Sequence, residues 1–397
     1  MNIKSLFGLF VLIIFTNGCI SEFNAALPSE DAQVLIVDGT IIENTNAAFY
    51  LSKSFPINSK GIPNDIFITN ANITVIGSNG YKSSPATSLG RGEYKVFVGK
   101  LEDDVEYGIQ IEYDGDTYQS ALSKPLRTPE IDSISWIQPE KYGSVLFRVS
   151  THDTQGEAKF YLWNYTENWE TTAYNYTTIF LNPTNSTFYL DYSAPYYYCW
   201  RSAASDKFLI GSTESLSENR IINKQFYQQD NPGDGRFSTL YCITVNQKAI
   251  SRGAYEYFQN KITLNDGMGG LFTPQPSEIS GNIVCISNPK KKVMGYIEVT
   301  KNTTQKRIFI YPNQITRPFV YSDCSTITQD SIRTIMRENG IVSYKDLYNL
   351  DYRPTGNTDM AQYPKIAPTE WSTARCTECT TAGGTKIKPD FWPNDHQ

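Results

Sequence analysis

The sequence predicts a mainly β protein: an N-terminal immunoglobulin-like β-sandwich, then a larger β-rich domain with one or two short helices. Three observations carry this reading. Short β-branched and aromatic runs alternate in polarity along most of the chain. Turn signals such as Gly77-Ser-Asn-Gly80 and Asp114-Gly-Asp116 separate them. Only two stretches repeat apolar residues at helical spacing. The 13% aromatic and 19% charged content of the 397 residues excludes a disordered chain. A single long apolar run excludes a multi-pass helical membrane protein. With 41 acidic against 35 basic residues, the chain has no basic surplus for general nucleic-acid binding.

Residues 1–18 read as a lipoprotein signal peptide. Lys4 supplies the positive start, Leu6 to Phe15 the apolar core, and Thr16-Asn17-Gly18 leads to Cys19. The apolar run is too short for about 30 Å of hydrocarbon. A small residue before a cysteine at this point is the signal for lipidation, so Cys19 is expected to carry acyl chains such as palmitate. Thr16 and Asn17 make a loose lipobox, similar to those of Bacteroidota lipoproteins. Residues 19–33 hold the lipidated cysteine and a tether without periodicity, with Glu22 as a single acid behind the anchor.

Residues 34–128 read as the sandwich. Val34 to Ile42, Ile73 to Ile76, Tyr94 to Val98, Val105 to Tyr113 and Thr117 to Ala121 are its clearest strands, and Pro125 and Pro129 mark its end. Residues 129–397 read as a β-rich domain with a C-terminal tail pinned by disulfides. Ser144 to Ser150 and Lys159 to Thr166 are its long strands. One helix is predicted after Ser251, where Ala254, Tyr257, Phe258, Lys261 and Ile262 recur, and ends at Asn265-Asp-Gly267. A second is predicted over Thr328–Asn339, stopped by Gly340. Trp371 and Trp392 are expected to be buried in the tail.

Seven cysteines and two histidines shape the chemistry. Setting Cys19 aside leaves Cys199, Cys242, Cys285, Cys324, Cys376 and Cys379, an even set suited to disulfides outside the cytosol. Spacing leaves the connectivity open: Cys376 and Cys379 are close enough to pair locally or to reach back into the body. A zinc site at this CxxC needs a second ligand pair, and His152 and His396 are poorly placed to give one. No metal or other cofactor is expected. The same scarcity of histidine, with no nucleophile elbow, argues against a hydrolase. Asp103 and Asp104 read as a solvated turn, as does Lys290-Lys-Lys292; Asp230 and Asp234 read as a Pro-Gly/Asp-Gly turn rather than a calcium site, since the EF-hand spacing and its terminal Glu are lacking.

The densest feature is aromatic: 15 of the 41 residues from Phe160 to Trp200. Strand alternation accounts for part of it. Trp163, Trp169, Tyr196, Tyr197, Tyr198 and Trp200 are the candidate contacts for a partner or glycan, since Tyr and Trp give large contact area at low entropic cost.

Several segments in order resemble one family. They are Ala249-Ile-Ser-Arg-Gly-Ala-Tyr-Glu-Tyr-Phe258, Gly270-Leu-Phe-Thr-Pro-Gln-Pro-Ser277, Gly281-Asn-Ile283 and Val293-Met-Gly-Tyr296. In the tail come Cys376-Thr-Glu-Cys379, Gly383-Gly-Thr385 and Lys388-Pro-Asp-Phe-Trp392. This order resembles the Bacteroidota lipoprotein family known as domain of unknown function 4249. The resemblance implies a lipid-anchored outer-membrane protein, on the cell surface rather than the periplasmic face, often encoded beside a SusC-like TonB-dependent transporter. It implies no catalytic residues. The expected function is therefore an accessory protein that docks on such a barrel, helping to capture a glycan or peptide ligand or capping the mouth. The alternatives are a stand-alone glycan-binding surface lipoprotein and a structural subunit of a larger outer-membrane assembly.

Overall fold

A computed structural model describes residues 33–55, 61–182, 184, 187–267, 281–318, 322–355 and 368–393. The leader, Cys19, the tether to residue 32, the Gly270–Ser277 motif and His396 lie outside the described residues. The protein is mainly β.

The first body is a two-sheet β-sandwich. Its early strands are β1 (Leu35–Ile42), β2 (Thr45–Lys53), β3 (Asn72–Gly77), β4 (Thr87–Gly90), β5 (Glu93–Val98), β6 (Tyr107–Tyr113) and β7 (Asp116–Ser120). Alternation decides what they bury: Tyr94, Val96 and Val98 of β5 face inward with Val37, Phe49 and Leu51, against Ile73, Val75, Ile109 and Ile111 of the other sheet. The Asp114-Gly115 turn takes positive φ at both residues, as a two-residue hairpin requires.

Two strands from much later in the chain complete this sandwich: β17 (Ile283–Cys285) pairs with β7, and β18 (Val293–Thr300) runs parallel to β1. The sheet orders are β18-β1-β2-β5-β4 and β17-β7-β6-β3. The sandwich expected over 34–128 therefore takes in 283–300 as well, and the domain expected over 129–397 gives them up. Two glycines of the Gly281 and Gly295 motifs permit this return. A Cβ on Gly281 would stand 1.8 Å from the Gly295 carbonyl oxygen, and Gly295 itself has φ 135°.

The second body stacks two further sheets. One holds β8 (Ile131–Ile137), β9 (Val145–His152) and β15 (Arg220–Gln229). The other holds β10 (Phe160–Thr172), β13 (Tyr198–Ala204), β14 (Leu209–Ser212), β16 (Tyr241–Ile250) and β19 (Thr304–Ile310). β10 is covered on both faces. Tyr161 and Trp163 pack on Ile134, Val149 and Ile221 of the facing sheet. Phe160 and Leu162 pack on helix α1 (Arg252–Gly267) through Ala254, Tyr257 and Phe258. Ser251 accepts a hydrogen bond from the Ala254 N–H (3.2 Å), the predicted cap.

The C-terminal part adds the hairpin β11 (Ile179–Asn182) and β12 (Thr187–Leu190) and a small sheet of β20 (Ile327–Thr328), β22 (Glu370–Thr373) and β21 (Tyr352–Thr355). Helix α2 (Gln329–Glu338) lies within the predicted Thr328–Asn339 span; Thr328 caps it, and Gly340 follows with φ 65°. Two shorter helices, α3 (Tyr344–Asn349) and α4 (Ala374–Thr377), were not predicted. Ile332, Leu347 and Trp371 form the core here.

Candidate functional site

The aromatic stretch divides at Thr172. Before it the rings belong to the core. Trp163 is 1% exposed, and its indole N–H donates to Gln247 Oε1 (2.7 Å). Gln247 in turn donates to the Pro129 carbonyl and Thr151 Oγ1. Trp169 is buried beneath the Arg236 guanidinium (4.8 Å), and Trp200 is buried beside Leu240, Cys242 and Trp392. Trp169 and Trp200, expected as contact residues, are instead packing residues; Trp163 is packed as well, but it also lines a cavity beside β10. The reason is that β10 and β13 run between covered faces, which alternation alone does not reveal.

After Thr172 the chain leaves the sheet, turns through β11 and β12, and re-enters at β13. This excursion carries Tyr174, Tyr192, Tyr189 and Tyr176, exposed by 60, 55, 41 and 38%. Tyr196, Tyr197 and Tyr198 are half-buried beneath them. The rings support one another: Tyr176 meets Tyr197 edge-on (5.0 Å), Tyr197 meets Tyr198 (4.8 Å), and Phe180 lies 5.8 Å from both Tyr189 and Tyr196. The Lys386 ammonium sits 4.4 Å from the Tyr196 ring centre. Burial first, and then Tyr196, raises the Tyr189 hydroxyl above its ordinary value.

The excursion is held from behind by the tail. Asn175 N–H donates to the Cys376 carbonyl (2.8 Å), and Cys379 N–H donates to the Tyr196 carbonyl (3.0 Å). Disulfides Cys199–Cys379 and Cys324–Cys376 close loops of 180 and 52 residues in separation. Each member of the CxxC thus reaches back, and neither pairs locally. Gly384 of the GGT motif is where the chain crosses the first bridge: a Cβ there would stand 2.5 Å from the Cys199 Cβ. Trp392 Nε1 donates to the buried Glu170 (3.1 Å) and closes the tail onto β10.

Cys242 and Cys285 correct the expectation of six paired cysteines: both are free, buried thiols. They belong to different bodies, Cys242 on β16 and Cys285 in the sandwich core, which puts them out of each other's reach. Burial pushes the Cys242 thiol up to about 11.

The remaining titratable candidates pair locally. His152 ends β9, with Nδ1 2.7 Å from Asp132 Oδ1. Asp230 accepts from Ser144, and Asp234 pairs with Arg236 (3.0 Å), which also bonds the buried Glu167 (2.6 Å). Asp104 is fully exposed near Lys124. Two concave sites were not singled out from the sequence. A cavity of about 450 Å³ beside β10 has Trp163, Tyr165, Asp206, Phe208, Phe226 and Lys261 in its lining. A cleft of about 540 Å³ at one end of the first sandwich is lined by Lys53, Tyr113 and Lys290 to Lys292.

The family model described as Domain of unknown function (DUF4249) matches residues 20–306, well over half of the chain. The chain belongs to the DUF4249 family. No curated protein matches it. Within this DUF4249 chain the matched span covers the returning strands β17 and β18 and helix α1, and stops before the disulfide-pinned tail. The motif residues Gly281, Gly295 and Ser251 act in the fold: two allow close backbone approach, and one caps a helix.

Proposed function

We propose that this DUF4249 protein is a lipid-anchored outer-membrane accessory protein that works with a SusC-like TonB-dependent transporter, and that its tyrosine face is the contact surface for ligand or partner. Its role is binding, not catalysis. The observation that carries the reading is that the excursion exposes Tyr174, Tyr176, Tyr189 and Tyr192 and is tied to the tail by the Cys199–Cys379 bridge and by backbone hydrogen bonds. Exposed aromatics with polar tips on a fixed surface are what recognition requires. The leader ending at Cys19 supports the anchor, and the disulfides suit an oxidising compartment. Tethering raises the effective concentration of a partner in the same membrane, so a weak interface suffices. Purification of tagged protein in mild detergent, with mass spectrometry of co-eluting proteins, tests this. A TonB-dependent barrel is the expected companion, and its absence from repeated preparations would sink the transporter reading.

The cavity beside β10 favours glycan binding as a second reading. Phe208, 37% exposed, and the half-buried Tyr165 and Phe226 provide faces for stacking on sugar rings. Asp206 and Lys261 provide polar groups for hydroxyls. Retardation in polysaccharide gels, lost in Phe208→Ala, is the expected result if this site is the one used.

A further inference from the structure

The cavity beside β10 opens where that strand changes partners. Thr166 to Thr172 pair with β13, and Phe160 to Trp163 pair with β14. The chain between the two partners, Ser205 to Phe208, turns past Tyr165 and is pinned there twice. Ser205 N–H donates to the Tyr165 carbonyl (2.8 Å), and Tyr165 N–H donates to Ser205 Oγ (3.1 Å). The turn carries Phe208 to helix α1, where its ring packs on Phe258, 5.1 Å between centres. One helical turn beyond Phe258, the Lys261 ammonium stands 5.2 Å from the centre of the same Phe208 ring. Tyr165 and Phe226, 5.6 Å apart, complete the aromatic wall.

Three charged side chains line this cavity: Asp206, Lys207 and Lys261. Asp206 and Lys207 are consecutive, exposed and opposite in sign, so they offset one another. Lys261 is half-buried, and its one described partner is the Phe208 ring. Among the described residues it has no ion pair and no hydrogen bond.

We propose that the cavity takes a glycan residue bearing a carboxylate, a uronic acid, with its ring on Phe208 and its carboxylate on Lys261. The inference deepens the glycan reading of this cavity and rests on it. A sugar on the aromatic wall covers Lys261, because the ammonium lies against the ring that does the stacking. A neutral sugar strips water from that charge and returns only hydroxyl contacts, and a charge buried without a counter-charge is costly. A carboxylate returns a charge-assisted hydrogen bond, roughly twice as strong as a neutral one. The preference thus turns on one half-buried ammonium, not on the net charge of a surface. A small anion without a ring fits less well, since Tyr165, Phe208 and Phe226 offer it only apolar contact.

The test is calorimetric titration of the full chain, in mild detergent, with hexasaccharides of galacturonate, of mannuronate and of hyaluronan. Each is used as the free acid and as its carboxyl methyl ester. A free acid is expected to bind at least about tenfold more tightly than its ester. Lys261→Gln should abolish that preference, and Lys261→Arg should keep it. Lys207→Gln makes the same change of charge on an exposed residue and should leave the preference within about twofold. Equal binding of acid and ester by the native chain, or a preference that survives Lys261→Gln, overturns the proposal. So does an equal loss in Lys207→Gln, which would mark diffuse attraction. Where esters bind as well as acids and Phe208→Ala abolishes both, the glycan reading stands and the uronic acid falls. Where no saccharide binds, both fall.

Discussion

The lysine-bearing end of the first sandwich and the tyrosine-bearing excursion are built in opposite ways. The lysine end rests on strands whose register is set by backbone hydrogen bonds, and its charge sits on residues adjacent in sequence, Lys290 to Lys292. The tyrosine face rides on a segment with only a hairpin of four-residue strands, held by disulfides reaching across 180 and 52 residues. The difference follows from the forces involved. Attraction between exposed charges acts over about a Debye length and tolerates loose placement. An aromatic contact acts only where rings are fixed and desolvated, so the segment must be rigid before a partner arrives.

The sharpest way to break this contrast is to remove the bridges. Cross-linking over a loop this long contributes up to about 5 kcal/mol by chain entropy. Cys199→Ser/Cys379→Ser should therefore be the most damaging change to the tyrosine face. The first sandwich has no part in either bridge. Hydrogen exchange should show the segment 173–198 and the tail losing protection while β1, β2 and β5 keep theirs. Equal loss in both would show that the two regions unfold as one unit. Cys242 and Cys285 supply an internal control. Being buried, with Cys242 up to about 11, both should resist alkylation at pH 8 in native protein and react only after unfolding.

A second comparison lies within the aromatic stretch. Trp163→Ala removes a fully buried ring and orphans the Gln247 amide oxygen, for an expected cost of about 3–5 kcal/mol read by denaturant midpoint. Tyr174→Ser/Tyr192→Ser touches exposed rings and should cost less than about 0.5 kcal/mol. Its effect should appear in recovery of the co-purified barrel, reduced about tenfold. If the tyrosine pair costs stability and leaves recovery unchanged, the face is packing and not contact.

Much of the fold was legible because it follows from local rules. Strict alternation in Tyr94–Val98, the Asp114-Gly-Asp116 turn, the Ser251 cap and the Gly340 stop each act within a few residues. The return of 283–300 into the first sandwich was not legible, since a parallel pairing of β1 with β18 has no local signature. The same limit applies to the site. Aromatic density located the stretch 160–200, but whether a ring faces solvent depends on layers that alternation within one strand does not report. Lys290-Lys-Lys292 read as a bare solvated turn until the register brought Lys53 and the chain entry beside it.

The smallest expected effect bears on the Asp116–Lys291 pair. The hydrogen bonds from Lys291, and then from Ser287, hold the Asp116 carboxyl below its ordinary value, and Asp116 holds Lys291 above its own. A depressed acid contributes above its unfolded value, near 3.8, and loses that contribution as pH falls through the folded one. A raised lysine contributes below about 10.5 and loses it as pH rises through the folded value. The pair therefore stays charged through neutral pH, and its contribution to stability is flat there. Asp116→Asn removes that contribution, and the effect should be small because the pair is exposed. It is read as a shift of the acid unfolding midpoint. An unchanged midpoint would show that the β6–β7 turn is held without the acid.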